Sequence, residues 1–162
     1  MKKILLIEDN EDIRNNTAEI LELSNYEVVV ADNGKTGVEK ALEHLPDLII
    51  CDIMMPVLDG YGVFHAVHKN RSLINTPFIF LTAKTERGDF RKGMELGADD
   101  YITKPFTGAE LLNAVDSRLK KIDLLKQELS PGIKGLQYLM QTSSGKNKLN
   151  LLAEGQDTNK YK

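Results

Sequence analysis

Five short apolar runs set the rhythm of the chain: Ile4–Ile7, Val28–Ala31, Leu48–Cys51, Phe78–Leu81 and a weaker pair, Tyr101–Ile102. Four of them are continuous rather than alternating, the pattern of strands covered on both faces. Between the runs, apolar residues recur at helical spacing. Ile13, Thr17, Ile20 and Leu21 share one face, with Asn10 as a cap. Val38, Ala41, Leu42 and Leu45 share another after a turn at Gly34. Val63, Phe64 and Val67 follow an Asp59-Gly60 turn. Phe90 and Met94, with Gly93 and Gly97 as close-packing positions, make a fourth helix. A last helix opens on Thr107-Gly108-Ala109-Glu110, a Thr-x-x-Glu capping box, and runs through Leu111, Leu112, Val115 and Leu119. Strict alternation of strand and helix predicts a doubly wound α/β domain, a parallel sheet with helices on both faces.

The pattern does not stop where such a domain need stop. Ile122, Leu125 and Leu129 continue the helical stripe to Ser130-Pro131-Gly132, which reads as a helix stop. A weak stripe follows in IKGLQYLMQTSS, and GKNKLNLLAEGQDTNKYK is mostly polar and reads as linker. The expected organisation is a domain over residues 1–121 and an extended helix and tail over 122–162, leading to an output domain outside this chain.

Composition adds three limits. The 162 residues are 41% hydrophobic and 28% charged, which suits one globular domain with residues to spare. No apolar run approaches the ~20 residues that span a bilayer, and the N-terminus lacks the features of a signal peptide. The lone cysteine, Cys51, excludes an internal disulfide, reads as a core residue of its strand, and fits a cytoplasmic protein. Charge is uneven. Residues 1–117 carry 12 Lys/Arg against 20 Asp/Glu, a balance of −8, whereas residues 118–162 carry 9 against 4, a balance of +5. The basic excess is too small and scattered to predict nucleic-acid binding, and no helix-turn-helix pattern is present. His65 and His68 lie three apart with no third ligand nearby and read as exposed bystanders.

In an open parallel sheet, chemistry collects outside the C-terminal ends of the strands. The first strand delivers Glu8 and Asp9 there, the third Asp52, the fourth Thr82, and the fifth Lys104 followed by Pro105. Three carboxylates in one cleft repel one another and call for a cation. Oxygen-only ligands favour Mg²⁺. A carboxylate can also attack phosphorus to give an acyl phosphate, with a cation, a Lys and a hydroxyl neutralising the phosphoryl oxygens.

The combination of Glu8-Asp9 after KILLI, Asp52 in DIMMPVLDGYG, Thr82-Ala83 in FLTA and Lys104-Pro105-Phe106 in DDYITKPF resembles the receiver domain of two-component response regulators over residues 2 to 121. The resemblance implies a flavodoxin-like five-stranded sheet of order 2-1-3-4-5. It implies that Asp52 accepts a phosphoryl group from a sensor histidine kinase. Asp9 and Asp52 would bind Mg²⁺ directly, Glu8 mainly through water, with the backbone carbonyl of Met54 as a further ligand. Lys104 would pair with the phosphoryl group, Thr82 would move to bond it, and Tyr101 would swing inward. The Lys104-Pro105 bond is expected cis. The switching face would comprise the fourth predicted helix, the fifth strand and the last helix, and that face or the extended last helix could support a homodimer. Such a protein is not an enzyme beyond accepting and slowly losing its own phosphoryl group. Met54, two past Asp52, cannot align water, and Lys84 stands two past Thr82, so a long-lived phosphoform is expected. Met54 also occupies the place where a phosphatase of the haloacid dehalogenase type needs a second acid.

Overall fold

The computed structural model describes residues 1–83, 91 and 95–141. Five strands, β1 (Lys3–Ile7), β2 (Glu27–Ala31), β3 (Leu48–Asp52), β4 (Phe78–Ala83) and β5 (Asp100–Lys104), form one parallel sheet in the order β2-β1-β3-β4-β5. Helices α1 (Glu11–Leu23), α2 (Gly34–His44) and α3 (Gly60–His68) connect the earlier strands, and a last helix spans Gly108–Gln141. The predicted helix around Phe90, Gly93 and Met94, residue Lys84 and the polar tail from residue 142 lie outside the described residues.

Side chains of a strand alternate between faces, and here the alternation sorts the core into two layers. Leu5, Ile7, Ile49, Cys51, Phe78 and Phe80 pack with Ala41, Val63, Phe64 and Val67 of α2 and α3. Ile4, Leu6, Leu48, Ile50, Ile79 and Leu81 pack with Leu21 of α1 and with Leu111, Val115 and Leu119 of the last helix. Both sets are buried, which is why the strands read as unbroken apolar runs.

Four side chains cap helix N-termini. Asn10 Oδ1 accepts from Ile13 N at 3.0 Å, Asn33 Oδ1 from Thr36 N at 2.8 Å, Asp59 Oδ1 from Gly62 N at 2.8 Å and Thr107 Oγ1 from Glu110 N at 3.1 Å. A cap contributes about 1 kcal/mol, whereas burying one Leu or Ile contributes about 1.5–3 kcal/mol. The apolar layers hold the helices to the sheet, and the caps decide where each helix starts.

The structure departs from the sequence pattern in three places. Leu42 and Leu45 are exposed, and the buried face of α2 is Gly34, Gly37 and Ala41. Gly37 sets this rotation: a Cβ there would stand 2.5 Å from Ile7 Cδ1, so the glycine lets the helix lie directly on β1. His68 is half-buried rather than exposed, because its ring stacks on Phe64 with centroids 4.1 Å apart. The last helix does not stop at Ser130-Pro131-Gly132 but continues to Gln141. Proline removes one helical hydrogen bond and disfavours the turn before it; that local penalty does not end a helix with several regular turns on either side. The chain divides into two units at Leu119, the sheet and its helices lying in Met1–Leu119.

Candidate functional site

β1 and β3 end side by side, Ile7 paired with Cys51, so Glu8 and Asp52 leave the sheet at the same edge. Asp52 pairs with Leu81, placing Thr82 one residue further along the neighbouring strand, and Thr82 pairs with Thr103, next to Lys104. Register alone therefore delivers the predicted residues of four strands to one rim.

The acids converge. Carboxylate oxygens of Glu8, Asp9 and Asp52 lie within 4.8 Å of one another. Lys104 Nζ stands 2.7 Å from Glu8 Oε2 and 3.2 Å from Asp52 Oδ1. Glu8 and Asp52 are buried, while Asp9 is exposed and opens the cluster to solvent. Glu8 Oε1 accepts from Asn10 N at 3.1 Å. Its Oε2 is buried with the Lys104 charge close by but without a well-formed hydrogen bond.

Desolvation dominates the electrostatics. Burial pushes the Glu8 carboxyl up to about 7, against the pull of Lys104 and the Asn10 amide, with Asp52 adding to the rise. Burial also raises Asp52, opposed by Lys104 and reinforced by Asp9. For Lys104 burial acts downward, but Glu8 and Asp52 outweigh it and the net shift is upward. One ammonium thus pairs with two carboxylates of a cluster of three. The excess negative charge, the oxygen-only ligand set and the incompletely satisfied Glu8 Oε2 together fit a hard divalent cation.

The loop after Asp52 is held by backbone. Ile53 N donates to Leu81 O at 3.1 Å and Gly60 N to Ile53 O at 2.9 Å. A Cβ on Gly60 would meet Asp52 O at 2.5 Å, so only glycine lets the start of α3 close against the acid. Met54 is exposed beside the cluster, and Val57 at the loop tip has a φ of 72°. The Lys104-Pro105 peptide is cis.

Thr82 is buried at the rim, and its Oγ1 makes one long 3.4 Å contact to Ala83 O, a weak restraint on a hydroxyl. Tyr101 is not part of the acid cluster. It is half-buried in β5, with its ring on Phe80 at 5.4 Å. One neighbour of the site, Arg14, escaped the sequence reading, and Asn10, expected there only as a cap, makes a second contact. Arg14 Nη1 donates to Glu8 O at 3.0 Å from one turn into α1, and Asn10 braces Glu8 while it caps that helix. A basic residue on the first turns after an acid pair is the only sequence signal for Arg14, and it is a weak one.

These features define a doubly wound α/β domain with an acidic cluster at the C-terminal rim of its sheet, and comparison with known proteins places it. The chain belongs to the response regulator receiver domain family, whose sequence profile matches residues 4–116. It is 40% identical over 123 residues to the alkaline phosphatase synthesis transcriptional regulatory protein PhoP of Bacillus subtilis, covering 76% of this chain and 50% of that protein. It is 39% identical over 121 residues to the response regulator ArlR of Staphylococcus saprophyticus, covering 75% and 54%. The chain spans about half the length of these curated relatives. Among solved structures it is similar to the receiver domain of the sensor histidine kinase PA1611 from Pseudomonas aeruginosa, which has a magnesium ion coordinated in its active-site cleft. That match has a TM-score of 0.69 at 31% identity and covers 74% of this chain and 98% of that one. The chemotaxis response regulator CheY4 of Vibrio cholerae matches with a TM-score of 0.68 at 32% identity, over 74% and 98%. No helix among the described residues is long and apolar enough to cross a membrane.

Proposed function

We propose that this chain is a phosphorylation-switched signalling receiver that takes a phosphoryl group onto Asp52 from a sensor histidine kinase in the cytoplasm. The observation that carries the reading is the seating of Asp52: a buried carboxylate, 3.2 Å from Lys104 Nζ, within one cluster with Glu8 and Asp9. An Oδ–P bond forms as the donor's N–P bond breaks, the electron pair leaving with the imidazole nitrogen, which takes up a proton. Mg²⁺, held by Asp9, Asp52 and the Met54 carbonyl with Glu8 behind, would supply charge neutralisation for the phosphoryl oxygens. Lys104 exchanges its contact with Asp52 for one with the new phosphate, and Thr82, weakly held, turns its hydroxyl toward the same oxygens. Tyr101 follows into the space that Thr82 leaves, biasing the face around β5 and the last helix between two pre-existing states. The switched face, or the extended last helix, then engages a second copy or an output domain. DNA contact, where the whole protein makes it, is the work of that output domain and not of this chain.

The test is incorporation of phosphate from a small-molecule phosphoryl donor in the presence of Mg²⁺. Incorporation is expected in the wild type and absent in Asp52→Asn. A chain that stays unlabelled with Mg²⁺ present is not a working receiver. Steady release of phosphate from simple phosphate esters would point instead to a phosphatase. With Met54 exposed and unable to orient water, the phosphorylated chain is expected to decay over minutes to hours; a half-life of seconds contradicts that part of the reading.

A further inference from the structure

The acid pair is held from behind by a closed ring of hydrogen bonds whose outermost member is Arg14. Glu8 N donates to Ala31 O at 3.1 Å, fixing the end of β1 to β2. Asn10 N donates to Glu8 Oε1 at 3.1 Å, so the chain turns back onto its own carboxylate. Asn10 O accepts from Arg14 N at 2.9 Å, the first bond of the helix. Arg14 Nη1 then reaches back to Glu8 O at 3.0 Å and closes the ring. Glu8 is thus gripped at its amide, its carbonyl and one carboxylate oxygen, leaving Oε2 to face Lys104 and Asp52. The peptide whose carbonyl Arg14 holds is the one that joins Glu8 to Asp9. The bond to that carbonyl thus restrains the backbone between the two residues that carry the Glu8 and Asp9 carboxylates. A guanidinium suits this place because its long stem lets Nη1 reach from α1 back to Glu8 O, and its rigid fork presents a fixed N–H to that carbonyl.

We infer that Arg14 is a positioning residue for the divalent cation: it fixes the Glu8–Asp9 peptide so that both carboxylates are set toward Asp52 before the ion arrives. This rests on the receiver reading above and extends it to a residue outside the ligand set. Partners of this kind, one shell behind the ligands, typically change metal affinity by about 10–100-fold when removed.

The experiment is titration of the purified, unphosphorylated chain with MgCl₂, followed by calorimetry or by amide NMR shifts of residues 8–14. No kinase and no phosphoryl donor is present, so any role of α1 in docking a partner cannot influence the result. Wild type, Arg14→Gln and Arg14→Lys are compared, and each is melted in chelator as a control. Arg14→Gln is expected to bind Mg²⁺ about 10-fold more weakly while keeping a cooperative melt, because the half-buried Arg14 belongs to neither apolar layer of the core. Arg14→Lys, which keeps the charge, is expected to fall between the two. Affinity within twofold of wild type in both variants overturns the proposal. So does a loss in Arg14→Gln no larger than its lost folded fraction. A wild type that takes up no Mg²⁺ overturns the receiver reading itself, and is distinct from either of those outcomes.

Discussion

At the scale of the residue, Glu8 shows how the site stores free energy. Its carboxyl is raised from 4.5 to about 7, chiefly by burial. An acid whose folded value lies above its unfolded one binds a proton more tightly when folded. Its contribution to stability is fully present below pH 4.5 and is lost as pH rises through about 7. The full difference is about 3 kcal/mol, a large share of the 5–15 kcal/mol that stabilises an ordinary domain. In chelator, the melting temperature of the wild type is therefore expected to fall between pH 5 and pH 7.5. Glu8→Gln should flatten that fall, leaving the part due to Asp52, which burial raises in the same direction. The comparison of the two pH profiles by thermal unfolding isolates Glu8 from the other groups that titrate. Identical profiles would show that Glu8 is not held protonated by the fold. The physical meaning is that the empty site is under charge strain above neutral pH, and a cation relieves it.

At the scale of the element, the loop from Asp52 to α3 carries a second store. Val57 is 94% exposed with a φ of 72°, in the left-handed region that β-branched residues avoid. An L-residue there costs about 1–2 kcal/mol, and glycine avoids that cost at the expense of about 0.5–1 kcal/mol of chain entropy. Val57→Gly is expected to stabilise the chain by up to about 1 kcal/mol in denaturant titration, while Gly60→Ala, which puts a Cβ on the Asp52 carbonyl, should destabilise it by more than that. These two residues also mark what was legible. The strands and the place of Glu8, Asp9, Asp52, Thr82 and Lys104 at strand ends follow from apolar runs and from where each run ends, whereas the order of the strands came only with the resemblance to receiver domains. The Asn10 cap and the Thr107 cap were legible because each follows a local rule, whereas Asp59 read only as a turn and proves to cap α3. What pattern could not reveal depends on contacts across the fold. The turning of α2 onto Gly37 rather than onto Leu42 and Leu45 depends on Ile7. The stacking of His68 depends on Phe64 and Phe78. The reach of Arg14 to Glu8 O depends on how β1 hands over to α1. The passage of the last helix through Pro131 is a case where a local stop signal was outweighed by the helix around it.

At the scale of the whole molecule, the distribution of the core assigns separate work to the two parts of the chain. Among the described residues every buried apolar side chain lies at or before Leu119, and the helix beyond it exposes Leu124, Leu125 and Leu129. Residues 120–129, the part of the extension whose side chains are described, hold no buried apolar residue, so removal of the extension is expected to leave the receiver's stability unchanged. A chain ending at residue 121 is expected to melt within about 2–4 °C of the full chain, since ~1 kcal/mol moves a domain of this size by about that much. It should accept phosphate on Asp52 at the same rate. The extension has a different use available to it. Helical stability in proteins comes mostly from packing an amphipathic face against a partner, and Ile122, Leu125 and Leu129 recur at spacings of three and four, the seam of a coiled coil. The expected outcome is that the full chain self-associates more strongly than residues 1–121 in sedimentation at matched concentration, and that Leu125→Lys with Leu129→Lys brings the full chain down to the level of the truncated one. If truncation instead lowers the melting temperature by 10 °C or more while both chains remain monomeric, the extension beyond residue 121 belongs to the receiver's own fold. Receiver chemistry and assembly would then not be the separable functions that the burial pattern describes.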